Sequence, residues 1–329
     1  MKKWLEYQLN NKHLTIPILS FPAVQIMNVN VSDIVSRTEY QARAIQTISE
    51  RCPVSTVLSS MDLSVEAEAF GGEIRFSDME IPTVTNTVIS TYADIENLQV
   101  PPVGKARTGV YIDAIRMVKK SLTKPVFAGV IGPFSLAGRL MDMTEIMVNC
   151  YEEPNWVHKT LRKCSDFIKD YILAFKNSGA DGVVIAEPAA GLLSPAICDE
   201  FSSSYIREII KAVSDEKFII VYHNCGNVVP LSETLLSLNA DVYHFGNSID
   251  IEDMLKLMPD KIIMGNLNPL IFKNGTFDSV KQNTLELLLR CGKYDNFVIS
   301  SGCDIPPMSS WDNIFAYFDA VKKYYGKEE

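Results

Sequence analysis

A histidine and two cysteines carry the strongest chemical signal in this chain. His223 and Cys225 stand two apart in YHNCGN, and Cys303 stands in SSGCD near the far end. In extended chain, residues i and i+2 project to the same side, so His223 and Cys225 can face one direction at a strand end. An imidazole and two thiolates are well-matched ligands for zinc. Three protein ligands with an open fourth position make a catalytic arrangement, and the missing CxxC spacing speaks against a closed structural site. Glu187, in IAEP, ends a neighbouring strand candidate. Three roles are open to it: a fourth ligand displaced by substrate, a general base, or a carboxylate that pairs with a nearby donor and shapes its loop. Asn247 and Asn266 are candidates for hydrogen bonding a polar substrate, although Asn is common in such turns for backbone reasons. Met61 and Asp62, after another strand candidate, are candidates for lining the same mouth. His244 ends a further strand, and two roles are open to it, support behind the ligands or packing against a loop, of which the second is favoured.

These residues need a scaffold that gathers strand ends. Short β-rich runs alternate with helical patterns along the chain. The runs are TIPILSF (15–21), STVLSS (55–60), KPVFAGVIG (124–132), DGVVIAEP (181–188), KFIIVYH (217–223), DVYHFGN (241–247), KIIMGNLNP (261–269) and NFVISSG (296–302). Several are continuously apolar, as strands buried on both faces of a parallel sheet are. Between them, Ile206, Ile209, Ile210 and Val213 recur at helical spacing. Eight strand–helix units with parallel crossovers predict one (β/α)₈ barrel over 1–329. An N-terminal helical extension precedes it. The stretch 62–100, with FGGEIRF and IPTVTNTVI, reads as a β-hairpin excursion after strand 2. No strand is followed by the GxGxxG of a dinucleotide fold. In such barrels active sites lie at the C-terminal ends of the strands. His223, Cys225, Cys303 and Glu187 all fall there.

Composition narrows the partners. The formal net charge is -9, and no Lys/Arg cluster with interleaved aromatics is present. Binding to nucleic acid or to an anionic membrane is therefore not expected. No apolar run approaches a membrane span, and no apolar stretch follows Lys2 and Lys3, so a cytoplasmic protein is expected. Seven cysteines in a large chain do not suggest a disulfide framework. Cys150, Cys164, Cys198 and Cys291 fall in helix-like segments, where Cys acts as a small buried apolar residue.

YHNCGN, SSGCD and DLSVEAEAFGGEIRF together resemble the uroporphyrinogen decarboxylase superfamily, and within it the zinc-dependent methylcobamide:coenzyme M methyltransferases. The resemblance covers nearly the whole chain. It implies that His223, Cys225 and Cys303 are zinc ligands and that Glu187 fills the family's acidic strand-end position. It also implies transfer of a methyl group from a methylated corrinoid, free or on a small corrinoid protein, to a thiol such as coenzyme M or to a folate. Decarboxylases of the superfamily carry an Arg-rich signature near the N-terminus. Here the corresponding stretch is SFPAVQIMNVN and the first arginine is Arg37, so a porphyrin-pathway decarboxylase is the less favoured expectation.

Overall fold

The computed structural model describes residues 2–326. Among the described residues nine strands form in chain order: β1 (Val57–Leu58), β2 (Ile74–Arg75), β3 (Thr83–Val84), β4 (Val126–Ile131), β5 (Gly182–Ala186), β6 (Ile219–Asn224), β7 (Val242–Phe245), β8 (Ile262–Leu267) and β9 (Phe297–Ser301). Seven of them build one parallel sheet in the order β1-β4-β5-β6-β7-β8-β9. Helices follow the strands, and the fold is the α/β barrel type that the alternation predicts. β2 and β3 pair antiparallel, which is the hairpin expected in the excursion. Helix Lys3–Asn10 is the expected N-terminal extension.

The first expected strand differs. Residues 15–21 make no ladder; only Thr15 bridges to Val54. Pro17 lacks the N–H that a ladder requires, and side chains replace the missing rungs. Ile18 N donates to Ser301 Oγ (3.0 Å), and Ser300 Oγ donates to the Ile16 carbonyl (2.7 Å). On the other side Ser55 N donates to the Thr15 carbonyl (3.3 Å). The segment thus spans the gap between the sheet edges β1 and β9. The second expected strand is cut to two residues. Beyond it, Ser59 still reaches β4, its hydroxyl accepting from Gly129 N (2.9 Å).

Alternation along each strand sorts residues into two cores. Val184, Ala186, Ile219, Val221, Val242, Ile262, Met264 and Val298 pack inside the curled sheet, where Leu5 and Ile16 join them. Val183, Ile185, Ile220, Tyr222, Tyr243, Phe245, Ile263 and Ile299 face the helices. Burying each such side chain stabilises the fold by about 1.5–3 kcal/mol. Parallel register brings Ala186, His223 and His244 abreast on β5, β6 and β7. The inward row is therefore apolar along the strands and turns to imidazole at their C-terminal ends. Among the described residues no helix is long and apolar enough to cross a membrane.

Candidate metal centre

One imidazole nitrogen and two thiol sulfurs from His223, Cys225 and Cys303 lie within 4.8 Å of one another. His223 is the last but one residue of β6, Cys225 follows two residues on, and Cys303 follows β9. His223 Nε2 is 3.7 Å from Cys303 Sγ. All three line a cavity of about 220 Å³ whose other walls include Ile18, Met61, Leu63, Ile81 and Pro82. The donors are soft and close enough to share one ion, so the set fits a zinc ion with an open position toward the cavity. In the thiol pair, the hydrogen bond from Cys303 holds the Cys225 thiol well below its usual range. Cys303 is pushed strongly up by that same bond and by burial.

A second histidine fixes which nitrogen of His223 faces the cavity. His244 Nε2 lies 2.8 Å from the Ser301 carbonyl, which can only accept, so that nitrogen carries the proton. Burial and the neighbouring His223 push His244 far below the usual imidazole range, and it is neutral. Its bare Nδ1 lies 2.6 Å from His223 Nδ1, which must then donate. The lone pair of His223 is left on Nε2, facing Cys303. Such an outer hydrogen bond to a ligating imidazole sets tautomer and ring orientation. His244 therefore touches the candidate centre instead of packing against a loop. The signal was present in the sequence: two parallel strands each end in an inward His at matching depth.

The backbone around Cys225 is tightly held. Asn224 Nδ2 donates to the Glu187 carbonyl (2.7 Å), and its Oδ1 accepts from Gly226 N (2.8 Å). Ser248 Oγ donates to the Cys225 carbonyl (2.7 Å). A Cβ on Gly246 would fall 2.5 Å from Cys225 Cα, so only glycine lets β7 pass this close.

Glu187 is fully buried but stands outside the donor group. Its Oε2 accepts from Phe134 N (3.0 Å) and its Oε1 from Ser135 N (2.6 Å). These are orphan amides at the start of helix Pro133–Met141, and the carboxylate caps them. Burial nevertheless pushes its pKa up to about 7. Of the three roles open in the sequence, the geometry displays the third, a carboxylate paired with nearby donors. Gly132 makes room for it, since a Cβ there would lie 2.4 Å from Glu187 Oε2.

The other expected site residues separate. Met61 lines the cavity. Asp62 does not; it is buried against Arg107 Nη1 (2.5 Å), whose Nε binds Glu68 (2.6 Å). Asn266 donates to the Gly246 and Ile249 carbonyls (both 3.0 Å), bracing the turn after β7. Asn247 is exposed on the rim. Two lining residues had not stood out as site residues. Asp304 follows Cys303, and both its carboxylate oxygens are buried without a hydrogen-bond partner. Burial raises its pKa well above the carboxylate range. Arg139 reaches the cavity from the helix after β4, away from any strand end, where no sequence signal marks it.

Fold and donors together define an α/β-barrel protein with a candidate metal centre at its C-terminal mouth. The chain belongs to the uroporphyrinogen decarboxylase (URO-D) family, whose model matches residues 19–324. It is 27% identical over 270 residues to the methylcobamide:CoM methyltransferase MtbA of Methanosarcina acetivorans, covering 80% of this chain and 78% of that protein. The uroporphyrinogen decarboxylase of Thermodesulfovibrio yellowstonii is also 27% identical, over 282 residues, covering 84% of this chain and 81% of that one. In three dimensions the fold matches a methyltransferase from Methanosarcina mazei with a TM-score of 0.85 and 23% identity, over 95% of each chain.

Proposed function

We propose that this protein is a zinc-dependent methyltransferase that moves a methyl group from a methylated corrinoid to a small thiol. The observation that carries the reading is the His223, Cys225 and Cys303 donor set converging on one small cavity. The MtbA relatives support it by name. His223 Nε2 and the two sulfurs would hold the metal, with His244 orienting the imidazole. When bound, zinc would supply a thiolate at neutral pH from an acceptor whose free pKa is about 8.5 or higher. The thiolates of Cys225 and Cys303 would offset the ion's formal charge, which would keep the acceptor sulfur nucleophilic. Transfer would form a C–S bond and break the donor's Co–C bond, with that bond's electron pair left on the corrinoid. The thiol proton leaves to solvent. The donor is free methylcobalamin or a small corrinoid protein docked at the mouth, and the acceptor is a thiol such as coenzyme M.

The decarboxylase relatives favour a second reading, and the cavity argues against it. A tetrapyrrole with eight carboxylates needs several cations. Arg139 is the only Lys or Arg lining the cavity among the described residues, while Arg107 is engaged by Asp62 and Glu68.

The test is to load the protein with zinc and follow the methylcobalamin spectrum with a panel of thiols and with tetrahydrofolate. Zinc-dependent loss of methylcobalamin with a thiol is the expected result. Loss with the folate alone would replace the acceptor, and no loss with any acceptor would defeat the reading.

A further inference from the structure

We propose that Arg139 is the receptor for an acidic group, a carboxylate or sulfonate, on the thiol acceptor; this rests on the methyl-transfer reading above. Arg139 sits on the wall shared by two spaces. One is the cavity of about 220 Å³ that holds the sulfur donors. The other is an open groove of about 810 Å³ between Val84–Thr87 beside the hairpin and the turn at Pro188–Leu192. Helix Pro133–Met141 places it there, and Glu187 pins the start of that helix.

The guanidinium is unclaimed. Among the described residues no carboxylate lies within 4.0 Å of it, and only burial and the more distant Asp62 and Glu66 act on it. Arg107, on the same side of the barrel, shows what a satisfied arginine looks like here, with bonds to Asp62, Glu68 and Ser64. An arginine is always charged, and a half-buried charge without a counter-ion is costly. Its planar fork matches a carboxylate or sulfonate. The cavity lining combines Cys225, Cys303 and Asp304 with the apolar Met61, Leu63 and Ile81, and Arg139 is its only Lys or Arg among the described residues. A short aliphatic thiol with an acidic tail satisfies each part: sulfur to the donor set, methylenes to the apolar walls, anion to Arg139. The volume is below the usual range for drug-sized ligands, which suits so small a molecule.

The experiment uses zinc-loaded full-length protein as wild type, Arg139→Met and Arg139→Lys. Three probes are titrated calorimetrically: 2-mercaptoethanesulfonate, 3-mercaptopropionate and neutral 2-mercaptoethanol. Wild type is expected to bind an anionic thiol about ten- to a hundredfold more tightly than the neutral one. The stronger of the two anionic probes tells sulfonate from carboxylate. Arg139→Met should bring all three within about twofold of one another, with unchanged zinc content and unchanged affinity for 2-mercaptoethanol. Arg139→Lys, which keeps the charge without the fork and preserves more of the packing, should retain part of the preference. Equal binding of charged and neutral thiols by wild type overturns the assignment while leaving methyl transfer standing. So does an undiminished anionic preference in Arg139→Met. Failure of every thiol to bind the zinc-loaded protein overturns both.

Discussion

The two sides of the barrel mouth are polar in opposite ways. Above β1, β4 and β5 the polar residues are chiefly carboxylates, and the fold itself satisfies nearly all of them. Asp62 and Glu68 hold Arg107, Glu66 accepts from Ile131 N, and Glu187 caps a helix. Above β6, β7 and β9 they are chiefly imidazoles and thiols, with Asp304 beside them. His244 is tied to the Ser301 carbonyl, but the ligand atoms of His223, Cys225 and Cys303 have only one another. One side spends its polar groups on holding the barrel together. The other holds them in place and leaves their lone pairs free. Damage to the first should unfold the protein, and damage to the second should empty it.

The largest effect should come from Asp62→Ala. It leaves the buried Arg107 guanidinium with the part-exposed Glu68 as its one remaining carboxylate, and urea denaturation should show a loss of about 3–5 kcal/mol. A metal-free sample should lose as much, which separates a structural from a metal-linked role. Next comes Glu66, whose pKa burial pushes up to about 7. A carboxyl raised above its unfolded value of about 4.5 favours folding while protonated. That contribution is complete below pH 4.5 and disappears as pH rises through 7. Wild-type stability should therefore fall across this window, by on the order of 1–3 kcal/mol from Glu66. Glu66→Gln should flatten the slope in melts at stepped pH, leaving the part due to Glu187. A slope identical to wild type would assign the effect elsewhere.

On the opposite side, His244→Ala should cost about ten- to a hundredfold in zinc affinity, measured by chelator competition. His244 is fully buried, so the variant is first shown to be folded by circular dichroism, and unchanged affinity in the folded variant would show that His223 needs no partner to hold its tautomer. Asn247→Ala should do least. The residue is exposed on the rim, and the change should stay within about 0.5 kcal/mol in stability.

The same contrast explains what the sequence made legible. Inward alternation on β6 revealed His223 and Cys225 together, and strand-end placement brought Cys303 beside them, because period two and barrel topology are properties of local pattern. Glu187 looked equivalent by position, yet its direction depends on helix amides that start at Phe134, more than fifty residues away in sequence. His244 was visible but underrated, since its role appears only once β6 and β7 are laid in register. Arg139 could not be found at all: it comes from a helix, and a helix face carries no strand-end mark. The first strand failed for a local reason that was readable, Pro17 within Thr15–Ile18, and its substitutes, Ser300 and Ser301, lie at the other end of the chain.

The central claim is that His223, Cys225 and Cys303 hold one zinc ion. Zinc content per chain, measured by atomic emission on purified wild type and on Cys303→Ala, tests it most directly. The account predicts near-stoichiometric zinc in wild type and little in the variant, with both proteins folded by circular dichroism. Full zinc occupancy in folded Cys303→Ala would contradict it.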